Sequence, residues 1–136
     1  MKRIISFIIL GILLTSSAIS QTLPYLKDPT FKAGEVLKYK LRYGIISAAT
    51  GTLSVQNSKY SFGINDAIHL SAFGQTSGAF SKFYTVKNQY DSYIDQSNFL
   101  PILYTENIRE NNYRRVEYAT FDHKTKKVNG KKGVFT

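Results

Sequence analysis

Catalysis needs reactive side chains of the right type within reach of one another, and this chain offers few. It has no cysteine and only two histidines, His69 and His123. Nucleophilic chemistry requires a thiol, or a hydroxyl with a usable base. His69 lies in "AIHLSAF", on the parity opposite Ile68, Leu70 and Ala72, which assigns it to the surface of a sheet. His123 falls in the turn-prone "FDHKTKK" and is assigned to solvent. Neither has the HxH or HxxxH spacing of a zinc site. Asp91 and Asp95 are four residues apart on one strand, roughly 13 Å by strand rise, which is too far for a retaining glycosidase pair. Glu106 and Glu110, taken as spanning a turn, pose the same difficulty. "GQTSG" (residues 74–78) has glycines and hydroxyls but lacks the lysine and the strand–helix setting of a phosphate loop. The expectation is a protein that is not an enzyme and holds no cofactor and no metal.

The N-terminus carries a different message. Met1-Lys2-Arg3 is a cationic start, residues 4–14 form an apolar run broken only by Ser6 and Gly11, and small residues lead to "SAIS" before Gln21. Ala18 and Ser20 suit the −3 and −1 places of a cleavage site, so residues 1–20 read as a secretory signal peptide. The apolar run is too short to span a bilayer comfortably. Without cysteine, the lipoprotein route is closed and no disulfide framework stabilises the exported chain. The expected location is periplasmic or secreted.

Residues 21–136 are expected to form a single β domain. The 136-residue chain is 43% hydrophobic and 20% charged, within the globular range. Its 14% aromatic share comes from ten tyrosines and nine phenylalanines, residues that favour strands. Removing Lys2 and Arg3 from the formal charge of +9 leaves +7. Eight cations lie from Arg109 onward against Glu110, Glu117 and Asp122. Such a basic half could meet lipid head groups or anionic polysaccharide, although alternating cations are also the ordinary wet face of a strand. Tyrosine interleaved with lysine or arginine could stack on sugars or bases; export argues against nucleic acid as a partner.

The text between turns is short and alternating. "GEVLKYKLRYG" (residues 34–44) puts Leu37, Tyr39, Leu41 and Tyr43 on one side and Lys38, Lys40 and Arg42 on the other. "ISAATG" (residues 46–51) reads as a small-residue turn, followed by a strand through Leu53 and Val55. A short strand is expected within residues 60–64, a turn at Asn65-Asp66, and a strand over 67–73. Phe80, Phe83 and Tyr84 allow one helical turn. Val86, Tyr90, Tyr93 and Ile94 suggest shorter strands or a bend. Strands follow over 102–108 and 113–122, and Asn129-Gly130 signals a hairpin turn whose return arm is short. Segments at about ten-residue spacing, closed by polar turns, predict a mainly β fold, either an antiparallel curved sheet or a partly open barrel. The short last arm suggests a domain incomplete at its C-terminus.

The aromatic stripe has two explanations. Leu37, Tyr39, Leu41, Tyr43, Leu53 and Val55 could line a concave face that holds a lipid-like or other amphipathic envelope ligand, since open or small barrels can enclose one. Equally, they could make an ordinary core in a structural or assembly protein of the cell envelope. A core needs such residues anyway, which favours the ordinary core for the stripe; ten phenol groups, hard to satisfy in a dry core, weigh back toward a cavity or groove. An outer-membrane barrel fits poorly, because Lys38, Lys40 and Arg42 would face lipid or a narrow lumen.

The run "FKAGEVLKYKLRYG" (residues 31–44) with "GTLSV" (51–55), and the later "FYTVKNQYDSYIDQSNFLPILYTENIRENNYRRVEYATFD" (83–122), resemble the DUF3108 family of uncharacterised exported bacterial proteins. The points of likeness are the GE before an aromatic strand, the Gly-x-Leu second strand, "YDSYID…LP", "ENNY" and a closing "FD". The resemblance spans residues 31 to about 133. It implies a periplasmic, mainly antiparallel β protein that usually runs longer than this, and it supplies no catalytic residues. Its general look is similar to the curved sheets of periplasmic lipoprotein carriers.

Overall fold

The computed structural model describes residues 31–63 and 67–136. The expected signal peptide and the Asn65-Asp66 turn lie outside the described residues. The chain is mainly β: eight strands in one antiparallel sheet, laid side by side in sequence order. They are β1 (Val36–Tyr43), β2 (Ile46–Asn57), β3 (Ala67–Thr76), β4 (Lys87–Asp95), β5 (Pro101–Glu110), β6 (Tyr113–Asp122), β7 (Lys127–Gly130) and β8 (Gly133–Phe135), with one helical turn, α1 (Phe80–Phe83), between β3 and β4. Among the described residues β1 and β8 have no common partner, so the sheet stays open rather than closing into a barrel.

Several boundaries differ from the sequence-based expectations, each for a local reason. "ISAATG" is not a turn; it is the first half of β2, whose small residues sit across from β1. The turn lies just before it, at Gly44, whose φ of 59° suits a residue without a Cβ. No strand forms within residues 60–63. Tyr60 and Phe62 instead pack edge-on or tilted against Tyr93, with ring centroids 5.4 and 5.5 Å from it. Residues 87–95 make one strand rather than pieces, because β3 and β5 pair it along both edges. Asn129-Gly130 is not the hairpin tip; both pair with β6, and the chain reverses at Lys131-Lys132. Glu106 and Glu110 do not span a turn; they share β5.

Cross-strand register sorts the side chains onto two faces. One face carries the rows Leu37–Leu53–Ala72–Tyr90–Glu106 and Val55–Leu70–Ser92–Tyr104. The other carries Lys38, Thr52, Phe73 and Gln89, and one row along, Ser54, Ser71, Asp91 and Thr105. The first is called here the groove face and the second the polar face.

The core is small and sits at one end of the groove face. Val55, Ile68 and Ile94 form it, with Leu70 and Phe99 packed alongside. Phe99 reaches it from the β4–β5 connection at a φ of 56°, a backbone state that a bulky residue rarely adopts. The loop is pinned around it: the Phe99 N–H donates to the Asp95 carbonyl (2.8 Å), and the Ser97 N–H to Asp95 Oδ1 (2.7 Å). Phe31 then meets Phe99 edge-to-face at 5.9 Å. A single sheet layer with one small core leaves much of its apolar face uncovered, whereas domains usually bury such a face against a second layer.

Candidate functional site

The pattern of side-chain size on the groove face makes a depression. Ala72 and Ser92 are small and lie mid-sheet, while Leu37, Tyr90 and Tyr104 stand around them. The result is a groove of about 410 Å³, lined mainly by Leu37, Leu53, Val55, Leu70, Ala72, Tyr90 and Tyr104, with Phe31 and Glu35 contributing. That volume falls within the roughly 300–1,000 Å³ usual for small-molecule sites. Its floor is continuous with the core, because Val55 and Leu70 belong to both.

Of the residues expected to meet a ligand, Leu37, Leu53 and Val55 line the groove. Tyr39 and Leu41 share the face but lie farther along β1, paired with Gly51 and Ala49. Tyr43 pairs with Ile46 beyond a register shift and stands exposed at the hairpin end. The stripe therefore runs out of the groove along the open edge of the sheet. Beside Tyr39 the cross-strand row continues as Gly51 and Gly74. A Cβ on Gly51 would lie 3.8 Å from the Tyr39 Cβ, and one on Gly74 would meet nothing within 4 Å. Two adjacent glycines thus leave the face bare of side chains beside Tyr39, next to the groove.

Tyr90, Tyr104, Leu70 and Ala72 also line the groove, and no local sequence signal marks them as ligand-facing. The parity of Leu70 and Ala72 was visible, but which strands lie next to β1 was not.

A charged cluster holds the far wall. Glu106 is buried at 9% exposure, and both of its oxygens are engaged. Arg115 Nη2 donates to Oε1 at 2.8 Å, and the Tyr104 hydroxyl donates to Oε2 at 2.9 Å. Burial, followed by that bond to the Glu106 carboxylate, pushes the Tyr104 hydroxyl up to about 12. Tyr104 therefore keeps its proton and presents its ring to the groove.

The polar face carries a second cluster. His69 Nε2–H donates to Asp91 Oδ1 at 2.7 Å, and its ring stacks on Tyr93 with centroids 4.5 Å apart. Gln89 Nε2 donates both to Asp91 Oδ1 (2.9 Å) and to Ser71 Oγ (2.7 Å). Burial first, then the Asp91 and Tyr60 charges, raise the Tyr93 hydroxyl above its ordinary value. The Gln89 amide, rather than the imidazole, holds Ser71, so the arrangement lacks a hydroxyl aligned with a base. His123 Nε2–H donates to the Pro101 carbonyl at 2.6 Å and is exposed. Among the described residues there is no group of three or more His, Cys, Asp or Glu placed to hold a metal.

Fold and site together define a class: an open antiparallel meander with an apolar groove on one face and a hydrogen-bonded polar face behind it. The family model of DUF3108, described as a protein of unknown function, matches residues 38–134. The chain belongs to that family. No curated protein and no solved structure matches it.

Proposed function

We propose that this is an exported, periplasmic, non-catalytic protein that binds a lipid-like or other amphipathic envelope ligand along the groove face. The observation that carries the reading is the groove itself. Its walls are leucine, valine and tyrosine, and the neighbouring Gly51 and Gly74 place no side chain beside Tyr39, which would leave room on the same face for a chain-like apolar group. Leaving such a surface in water is costly, at roughly 25 cal/mol for each Å² of apolar area, and an acyl chain would cover it. A non-catalytic role suits the polar groups nearby, because Glu106 is committed to Arg115 and Tyr104, and Asp91 to His69 and Gln89. Export is supported by the order of cationic, apolar and small residues at the N-terminus.

The test is a fluorescence titration with an environment-sensitive acyl probe. The expected result is saturable binding that Leu53→Asp weakens at least tenfold while the melting temperature changes little, since Leu53 is 43% exposed. Non-saturable binding, or equal binding by Leu53→Asp, would leave the envelope-assembly role without a ligand as the better account.

A further inference from the structure

The end of the sheet away from the Phe31–Phe99 core gathers three connections into one rim. These are the β1–β2 turn, the α1 segment and the β5–β6 turn. The Ser77 N–H donates to the Ala48 carbonyl at 2.9 Å, which ties the α1 segment to β2. The Asn111 N–H donates to the Thr85 carbonyl at 2.8 Å, and the Thr85 N–H donates back to Asn111 Oδ1 at 2.8 Å. From this rim project the three most exposed large apolar side chains among the described residues: Ile45 at 100%, Phe83 at 85% and Tyr43 at 78%. Single exposed apolar residues are ordinary, but several gathered on one rim mark an interaction surface.

Directly behind the rim, one cross-strand row of the polar face reads Lys40, Thr50, Gln75, Lys87. The register between Val86–Glu110 and Gln89–Asn107 carries that row on to Arg109, which pairs with Arg114. Two arginines directly opposite in an antiparallel pair repel each other. Their own contacts do not relieve the charge. Arg114 Nη1 donates to the carbonyls of Asn111 (2.7 Å) and Tyr113 (2.8 Å), and Arg109 Nε to Asn107 Oδ1 (3.2 Å). Among the described residues none of Lys87, Arg109 and Arg114 has a carboxylate partner. The acid closest in sequence, Glu110, is occupied by Asn88 Nδ2 (2.7 Å) and the Tyr84 hydroxyl (3.3 Å).

We propose that this rim docks on the surface of an anionic phospholipid bilayer. Ile45 and Phe83 enter the boundary between head groups and acyl chains, to a depth of about 5–10 Å. Tyr43 and Tyr84 sit at head-group level, where amphipathic rings are favoured. Lys87, Arg109 and Arg114, spaced by the strand separation of about 4.8 Å, lie against the phosphates. Charge complementarity selects this occupant; a second copy of the rim would bring the same cations face to face. The docking stands independently of the groove's ligand, although the Leu37–Tyr43 stripe runs from one to the other.

The test is sedimentation of the processed protein with vesicles of phosphatidylcholine alone or mixed with phosphatidylglycerol. Binding is expected only to the mixed vesicles. At about fivefold per cation, Lys87→Gln, Arg109→Gln and Arg114→Gln together should weaken it on the order of a hundredfold. The same loss of charge at the opposite end, Lys32→Gln with Lys124→Gln and Lys126→Gln, should change it little. Ile45→Asp with Phe83→Asp should abolish binding while melting as the wild type does, and Ile45→Ser alone should weaken it. Equal loss in the two charge-matched triples would reduce the effect to net charge and overturn the assignment. So would binding that ignores Ile45 and Phe83, or affinity for inorganic pyrophosphate without affinity for vesicles.

Discussion

Replacing Arg115 by glutamine isolates Glu106, the one buried carboxylate among the described residues. The Glu106 side chain is 10% exposed and its partner Arg115 is 47% exposed. A fully buried pair broken from one side costs about 3–5 kcal/mol, and an exposed pair about 0–1 kcal/mol. This pair is half of each kind. The carboxylate has left water while the guanidinium keeps much of its hydration, and the Tyr104 hydroxyl still serves Oε2. Arg115→Gln should therefore cost about 2 kcal/mol, intermediate between those limits. For a domain of this size that is a fall of roughly 7–10 °C in melting temperature. Circular dichroism melts of Arg115→Gln, of Glu106→Gln and of the double variant give the coupling directly. The double variant should lose less than the two single losses added, because glutamine at 106 no longer leaves a buried charge. A cost for Arg115→Gln below about 0.5 kcal/mol, typical of an ordinary surface change, would show that Glu106 is adequately solvated and refute the reasoning.

Ile68 is 1% exposed at the centre of the core, so Ile68→Ala should cost about 2–3 kcal/mol in urea unfolding, near the low end for such truncations because a thin core can relax. Tyr104 gives a pH dependence: its folded hydroxyl holds its proton to about 12, while the unfolded one releases it near 10. The folded state thus binds more protons in that window, so stability present below pH 10 falls as pH rises through it; in Tyr104→Phe the fall should be shallower, as read by melts at successive pH values. Gly74→Val places a side chain into open space at an unstrained strand position, and valine suits a strand better than glycine. The variant should melt no lower than wild type yet bind an acyl probe more weakly, which separates ligand space from stability.

The sheet was legible because its signal is local. Alternation in "VLKYKLRY" and in "YRRVEYATFD" needs no knowledge of neighbours, and β1 and β6 occupy those stretches. What failed depended on partners. Residues 46–51 look like a loop by composition, yet they extend along β1 because small side chains are tolerated opposite Tyr39 and Leu41. Asn129-Gly130 has a strong turn preference that pairing with Thr120 and Ala119 overrode. The groove was half legible for the same reason. Leu37, Leu53 and Val55 came from parity on two consecutive strands, whereas Tyr90 and Tyr104 join them only through a strand order that composition does not encode. The pairing of Glu106 with Arg115, across β5 and β6, was likewise beyond a one-dimensional reading.

The claim that the groove holds an amphipathic ligand is met most directly by native mass spectrometry of the protein purified from its own envelope, followed by organic extraction. The account predicts a retained lipid-like mass that is lost in Leu53→Asp and reduced in Gly74→Val. A bare polypeptide mass, with a melting temperature unmoved by added envelope lipids, would contradict it.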